Sequence, residues 1–221
     1  HLDGILGESE YRGRKGIEPC GAKGIYVLHE PERISSNKVK IRNNIKRSRL
    51  KKAKELGEIE GIVQDDLIYP AIGGRNIDRW GLNSNFYMIV PHSPESKSPY
   101  RGIPESDLKV DYPNVYEWLD YFHDLLLETR KRSGKYFDEE KFPFYRLDNV
   151  GNYTYKPYKV VWGEQKKKMT ACVVSTKEEG VLEDKLILTD SKCLSCHLDN
   201  IEEAYYLCGI LNSNIVSYLI E

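Results

Sequence analysis

The sequence predicts an α+β fold that contains mixed sheets, a long amphipathic helix near residues 114–132 and a C-terminal helix. Short strand-like segments are spread along the chain, and helical periodicity occurs in separate places. The regular alternation of strand and helix that characterises a parallel α/β fold is absent. Hydrophobic residues make up 40% of the 221 residues, which is sufficient for a substantial core.

Segments rich in β-branched and aromatic residues, bounded by turn-forming residues, predict the strands. These segments are 25–28, 58–62, 85–90, 153–162, 171–175 and 185–188. Lys159 and Trp162 fall within one of them, so we expect both to belong to a core strand.

The main helix is predicted from a proline at its start and an apolar stripe at helical spacing. The stripe consists of Val115, Trp118, Leu119, Phe122, Leu125 and Leu126. We expect these side chains to lie in the core. Shorter helices are predicted at 50–56 and at 201–211.

The chain is predicted to be a single domain over residues 1–221, with a possible subdivision near 135–150. From its first residue, His1, and the apolar pattern within which it stops, we expect the chain to be a fragment of a longer enzyme. Five cysteines are too few for a disulfide framework. No export signal or apolar run long enough to cross a membrane is present, so we expect a cytoplasmic protein with reduced thiols.

Positive charge is concentrated in one segment, from Arg33 to Lys54, which we call the basic block. It contains ten lysines and arginines and no acidic residue, so with an overall net charge of −1 the remaining chain carries −11. Such a block is either a solvated loop or a contact for a polyanion. Both interpretations stay open from the sequence.

Cys193, Cys196 and His197 match the spacing of a haem attachment site and provide three of the four ligands of a zinc site. A second cysteine pair is absent, and haem attachment needs export. We therefore expect no metal, with a small metal or redox module as the weakest alternative. Elemental analysis of the purified chain would test it.

Catalytic motifs are also missing. The glycine-rich segment from Gly16 to Gly24 resembles a phosphate-binding P-loop but lacks its Gly-Lys-Ser/Thr ending. Amino-methylating DNA enzymes use an Asn/Asp/Ser-Pro-Pro-Tyr/Phe loop, and no two prolines are adjacent here. The chain is therefore predicted to have no catalytic residues of its own.

Five ordered segments resemble the target-recognition region of Type IIG and related N6-adenine DNA methyltransferases. They cover nearly the whole chain and are Arg12–Gly16 with Gly21–Tyr26, Leu67–Trp80, Tyr87–His92, Pro143–Tyr145 through Tyr158–Trp162, and Glu203–Leu207 with Leu211–Ser213. The chain departs from many members of the family at Cys20 and Lys23, where a threonine and an asparagine are common.

The resemblance implies a specificity domain of a restriction-modification enzyme, which binds double-stranded DNA in a cleft shared with a catalytic methyltransferase domain of the same polypeptide. That separate domain would bind S-adenosylmethionine and extrude the target adenine, because a stacked base cannot be reached. The parent enzyme could also cleave DNA as a type II restriction enzyme.

A protein that reads duplex DNA needs cations to neutralise the phosphates, and it needs arginines that reach the base edges. Arg14, Arg75 and Arg79 are the candidate base readers, because each lies near glycines or a turn. The full predicted DNA-binding set is Arg12, Arg14, Lys15, Lys23, Lys40, Arg42, Lys46, Arg47, Arg49, Lys51, Lys52, Arg75 and Arg79. The alternative function, supported by near-neutral net charge and aromatic content, is a protein-docking or scaffold module.

Overall fold

The computed structural model describes residues 7–48, 51–96, 98–133, 137–138, 140–165 and 168–220. Within these ranges the chain forms four small sheets with helices packed on them. The strands are β1 (Arg14–Lys15), β2 (Val27–Leu28), β3 (Glu32–Ser35), β4 (Lys38–Arg42), β5 (Glu60–Gln64), β6 (Ile68–Ile72), β7 (Ile77–Asp78), β8 (Gly81–Leu82), β9 (Phe86–Ile89), β10 (Tyr158–Gly163), β11 (Ala171–Val174), β12 (Leu188–Thr189) and β13 (Cys193–Leu198). The α-helices are α1 (Lys23–Tyr26), α2 (Lys51–Leu56), α3 (Glu105–Asp111), α4 (Pro113–Asp120), α5 (His123–Ser133), α6 (Ile201–Leu211) and α7 (Asn214–Ile220).

The first sheet is antiparallel and has the order β1–β13–β10–β11. Its long central pair, β10 and β13, is in register over six residues of each strand. Side chains alternate across a strand, so this sheet buries one row of residues against α6 and the other row against Ile72, Ile77 and Ile187. The short strand β1 brings the first loop to the same sheet.

The second sheet has the order β12–β6–β9–β2 and is mixed, because β12 and β6 are parallel whereas the other pairs are antiparallel. All five residues of β6 are buried. These sheets, together with the helices, confirm the predicted α+β class.

The third sheet is a β3–β4–β5 meander, and the fourth is the short hairpin of β7 and β8. The meander contains the first half of the basic block, for which the sequence predicted no strand. Val39 and Ile41 of β4 are buried while its cations point the other way. The basic block is therefore not a single solvated loop.

The predicted helix at 114–132 is two helices, α4 and α5. They are separated at Tyr121 and Phe122, where the Phe122 N–H bonds to the carbonyl of Leu119, three residues back. This tight turn interrupts the helix without any proline or glycine to signal it. The stripe is confirmed as core for Val115, Trp118, Leu119, Phe122 and Leu126, whereas Leu125 is partly buried.

Several predicted boundaries are corrected. Residues 25 and 26 belong to α1, so the predicted strand at 25–28 begins at Val27, and β5 begins two residues later than predicted. Residues 152–155 form a 3₁₀ turn before β10, which shortens the predicted strand at 153–162. Only one residue of the segment 185–188 lies in β12.

Two predicted helices are confirmed. Helix α2 covers the described part of the segment 50–56. Helix α6 has the predicted bounds, and the side chain of Asn200 caps it by accepting hydrogen bonds from the N–H groups of Glu202 and Glu203 at 2.7 and 3.1 Å. Across the described ranges, no helix is both long and apolar enough to cross a bilayer.

Candidate nucleic-acid interface

Asp190, which follows β12, is buried and connects segments that are far apart in the sequence. Its carboxylate forms an ion pair with the ammonium group of Lys23 and accepts a hydrogen bond from the Lys192 N–H at 2.7 Å. Gly73 packs on the same carboxylate, since a Cβ there would lie 3.0 Å from an Asp190 oxygen. A buried carboxylate needs such partners to stay charged. We call the set of Gly16, Lys23, Gly73, Gly74 and Asp190 the Asp190 junction.

The glycines of the junction are required by close backbone contacts. A Cβ on Gly16 would lie 2.2 Å from the Asp190 carbonyl oxygen, and a Cβ on Gly74 would lie 2.7 Å from the Lys192 carbonyl oxygen. The space that these glycines leave is thus filled by protein, not by a phosphate. The first loop and the Gly73–Gly74 turn, two of the five resembling segments, are held against one another through residues 190–192.

Cys20 and Lys23, where the chain departs from the resembling family, are both bonded to aspartates. The Cys20 thiol lies 2.8 Å from a carboxylate oxygen of Asp148, and the Arg130 guanidinium lies 2.5 Å from the Cys20 sulfur. Burial raises the pKa of the Cys20 thiol to about 12. The nearby Arg130 lowers this pKa by a smaller amount, and the Asp148 carboxylate raises it. The first loop is therefore held at two points, by the Cys20–Asp148 and Lys23–Asp190 contacts. The sequence of the loop itself predicts neither contact.

Five exposed cations belong to the segments that meet at the junction, and we call them the junction cations. They are Arg12, Arg14, Lys15, Arg75 and Lys192. Lys15 and Lys192 both reach Glu164, at 2.8 and 3.5 Å. Arg75 directly follows Gly74 and is the exposed residue of a short 3₁₀ turn. The structure thus brings Lys15 and the turn that contains Arg75 close to Lys192, which the sequence did not single out.

Arg14 rests on an aromatic ring. Its guanidinium carbon lies 4.5 Å from the centroid of the Tyr153 ring, and Tyr153 in turn packs edge-on against His197 with centroids 5.0 Å apart. Stacking of this kind orders an arginine side chain without using its N–H donors. Arg14 therefore keeps its full hydrogen-bonding fork available to a ligand.

Lys159 and His197 lie side by side beneath Arg14, as cross-strand partners in β10 and β13. Lys159 is 1% exposed, and within the described residues its Nζ donates one hydrogen bond, to the Lys156 carbonyl at 2.9 Å. Burial alone lowers the pKa of Lys159 to about 7. Burial, with smaller effects of Lys159 and Arg14, lowers the pKa of His197 to about 3. The prediction that Lys159 and Trp162 belong to a core strand is confirmed, since both lie in β10.

Three predicted DNA-contact residues are already engaged elsewhere in the protein. Lys23 pairs with Asp190, as described above. On the meander, Lys40 pairs with Glu60 at 2.7 Å and Arg42 approaches Glu58 at 3.7 Å. Lys40 and Arg42 line a shallow cavity of about 120 Å³ together with Glu30, Glu32, Ile41 and Glu60. Acids from elsewhere in the chain thus pair with these three cations, and the assignment of the three residues as DNA contacts stays a prediction.

The second half of the basic block keeps its charge, and we call residues 45–47 and 51–56 the helical half. Among the described residues, Lys46, Arg47 and Lys51 form no ion pair within 4 Å, whereas Lys52 pairs with Glu128 at 2.7 Å. The Arg47 guanidinium packs over the Phe86 ring, 4.9 Å from its centroid. Arg49, also in the predicted set, lies outside the described residues.

Arg79 and Trp80 form the two-residue tip of the β7–β8 hairpin. Arg79 donates a hydrogen bond to the backbone carbonyl of Asn212, after α6, and its guanidinium carbon lies 5.7 Å from the Trp80 ring centroid. Both side chains are exposed. The hydrogen bond limits Arg79 as a base reader, while the neighbouring tryptophan is a site residue that the sequence did not identify.

The cysteine motif is not assembled as a metal site. Residues 193–198 form β13, in which residues three apart face opposite sides. Cys193 accordingly packs with Ile72 and Val161, and Cys196 packs against α6. The described residues contain no group of three or more His, Cys, Asp or Glu side chains that could hold a metal ion.

Comparison with models of known protein families finds no match, and comparison with curated protein sequences finds none either. The functional interpretation therefore depends on the residues and the geometry described above.

Proposed function

We propose that this chain recognises a specific sequence in double-stranded DNA, as the target-recognition domain of an N6-adenine DNA methyltransferase of a restriction-modification system. The observation that carries the proposal is that two of the resembling segments, the first loop and the Gly73–Gly74 turn, meet at the Asp190 junction and carry the exposed cations Arg12, Arg14, Lys15 and Arg75. A composite DNA-reading site requires such segments, which are far apart in the sequence, meet in the fold and carry exposed cations.

The two basic surfaces suit different parts of this task. Phosphate contacts give affinity and position, whereas contacts to base edges give specificity. Lys46, Arg47 and Lys51 of the helical half are exposed cations suited to phosphates. Arg14, held on the Tyr153 ring, and Arg75 have the bidentate fork that pairs with guanine in the major groove.

Methyl transfer belongs, in this proposal, to a separate catalytic domain of the same polypeptide, which binds S-adenosylmethionine and receives the extruded adenine. The chain itself supplies no catalytic group. Since restriction-modification enzymes act on DNA inside the cell, the proposal also places the protein in the cytoplasm, with duplex DNA and the catalytic domain as partners.

Fluorescence anisotropy with a labelled duplex of mixed sequence, titrated at several salt concentrations, tests the proposal. We expect binding that weakens steeply with salt. The variant R14A/R75A should bind all duplexes with less discrimination, whereas K40A, which removes a cation already paired with Glu60, should bind like the wild type. Absence of binding at low salt, both for the chain and for the chain joined to its catalytic domain, would refute DNA recognition.

A second candidate function, a protein-docking module, is favoured by one feature of the C-terminal helices. Large apolar side chains of α6 and α7 are exposed, including Tyr205, Tyr206, Ile215 and Tyr218, the last at 83%. Exposed apolar clusters mark interaction surfaces. Concentration-dependent association in sedimentation, abolished by I215S/Y218S, together with no DNA binding, would favour docking over DNA recognition.

A further inference from the structure

Trp80 has a backbone conformation that tryptophan rarely adopts. Strands β7 and β8 pair Asp78 with Gly81, which leaves Arg79 and Trp80 as a two-residue loop. The φ angle of Trp80 is 75°, the value that a type II turn gives to its third residue, where glycine or asparagine is usual. A side chain in this left-handed region strains the backbone. The chain therefore has tryptophan at a position where glycine would adopt the same backbone conformation without strain.

The strain is not compensated by burial of the ring. The Trp80 side chain is 59% exposed, whereas Trp118 is 6% exposed and Trp162 is half-buried. A tryptophan retained for stability normally buries most of its large apolar surface. Trp80 therefore contributes little to the core in return for its strained backbone, and strained residues of this kind are characteristic of ligand-contacting sites.

The hairpin tip is nevertheless held firmly in place. The Trp80 N–H donates a hydrogen bond to the carbonyl of Ala171 in β11 at 3.0 Å. On its other side, Arg79 is bonded to the Asn212 carbonyl and lies near the indole ring. The indole is thus presented outward from a fixed backbone, with a cation beside it. An exposed flat ring next to a positive charge matches a nucleotide, which has a flat base and a negative phosphate.

We propose that Trp80 stacks on a nucleobase of bound DNA, at a step that is unstacked when the duplex is distorted or a base is extruded. This inference rests on the proposed function and assigns the hairpin tip as a specific contact of that site. Aromatic side chains stack on the face of any base, so the contact adds affinity without reading the sequence. Arg79 supplies charge beside it for the adjoining phosphate.

The variant W80G separates this role from a structural one. Glycine adopts a φ of 75° without strain, so W80G should keep or raise the melting temperature of the full chain. Loss of the ring should weaken binding to a labelled duplex by about tenfold, in line with the energy of base stacking on an aromatic side chain. The matched control W80F keeps a ring and should bind within about threefold of the wild type, a smaller loss than removal of the ring gives.

A mismatched duplex provides a second measurement, because a mismatched base is cheaper to unstack. The wild type should bind the mismatched duplex more tightly than the matched one, and its tryptophan emission should be quenched on binding. W80G should lose both the preference and most of the quenching.

The outcomes separate this inference from the proposed function. If the wild type binds no duplex, the proposed function fails and the stacking role fails with it. If the wild type binds duplex DNA and W80G binds the matched and the mismatched duplex each as tightly as the wild type does, only the stacking role is refuted. A fall in melting temperature of more than about 5 °C in W80G, with a parallel loss of binding, would show that Trp80 is structural and would overturn the inference.

Discussion

The Asp190 junction and the helical half of the basic block both contain lysine, but only the junction pairs its lysine with a fully buried acid. At the junction, Lys23 is enclosed and paired with a buried carboxylate. In the helical half, Lys46 and Lys51 are exposed and form no ion pair among the described residues. The local sequences do not distinguish these cases. What differs is whether the fold brings an acid from elsewhere in the chain to the lysine, as it does for Lys23 and does not for Lys46 and Lys51 among the described residues.

Substitution D190N should have the largest effect on this comparison. It leaves Lys23 without its counterion in a largely enclosed site, and breaking a buried pair in this way costs about 3 kcal/mol. Urea denaturation of the full chain measures the free energy of unfolding. The control E164Q removes a partly exposed partner of Lys15 and should cost less than about 1 kcal/mol.

If D190N is no more destabilising than E164Q, the ion pair does not hold the junction together. The double variant K23M/D190N provides a further check. Removing both charges avoids an unpaired ion, so the double variant should be more stable than the sum of the two single effects predicts.

Substitutions in the helical half should change DNA binding and leave the free energy of unfolding nearly unchanged. Replacement of Lys46, Arg47, Lys51 and Lys52 with alanine should reduce the salt dependence of duplex binding, by a slope of about 0.9 for each DNA phosphate that the variant no longer neutralises. The unfolding free energy should change by less than about 0.5 kcal/mol per substitution, as is usual at exposed positions. Anisotropy titrations at several salt concentrations give the slope.

The matched control for that experiment is K40A/R42A in the first half of the basic block, where both cations already have acidic neighbours. Its salt dependence should stay close to that of the wild type. An equal reduction of the slope in both variants would mean that the two halves contribute alike and that pairing on the meander does not keep a cation from binding DNA.

The sequence predicted the elements whose signals are local. The α+β class and helix α6 were predicted, and the structure shows that α6 is capped by its own neighbouring residue Asn200. The stripe through Trp118 and Phe122 was predicted as core, but the break between α4 and α5 depends on a turn that no proline or glycine marks. Strand β4 was missed because its many cations suggested a loop, although Val39 and Ile41 alternate with cations as in a half-buried strand.

The candidate site was less predictable, because its decisive partners are remote. Nothing near Lys23 indicates Asp190, and nothing near Lys40 indicates Glu60, yet these pairs decide which cations stay free. Cys193 and Cys196 could be chelating neighbours in a loop but not in a strand. Lys159 is the exception, because a lysine beside the apolar residues of β10 is a local sign of a buried charge.

Lys159 is a third case, a buried cation that has no acidic partner among the described residues. Its pKa is lowered to about 7 by burial, from an ordinary value near 10.5 in the unfolded chain. Between these values the unfolded chain binds more protons than the folded one, so the free energy of unfolding should rise with pH across this window. At lower pH both states hold the proton and the full cost of burying the charge remains.

Substitution K159M should remove this dependence, since methionine has similar length and no charge to desolvate. Replacing a buried charge with an apolar group of similar volume is neutral or stabilising, so K159M should gain about 1–2 kcal/mol at pH 7 and lose the rise toward pH 10.5. Urea denaturation of both chains over this pH range checks the prediction. If the wild-type curve is flat there, or K159M unfolds more readily, then Lys159 is stabilised in the fold, as Lys23 is by Asp190, and burial without an acid does not set it apart.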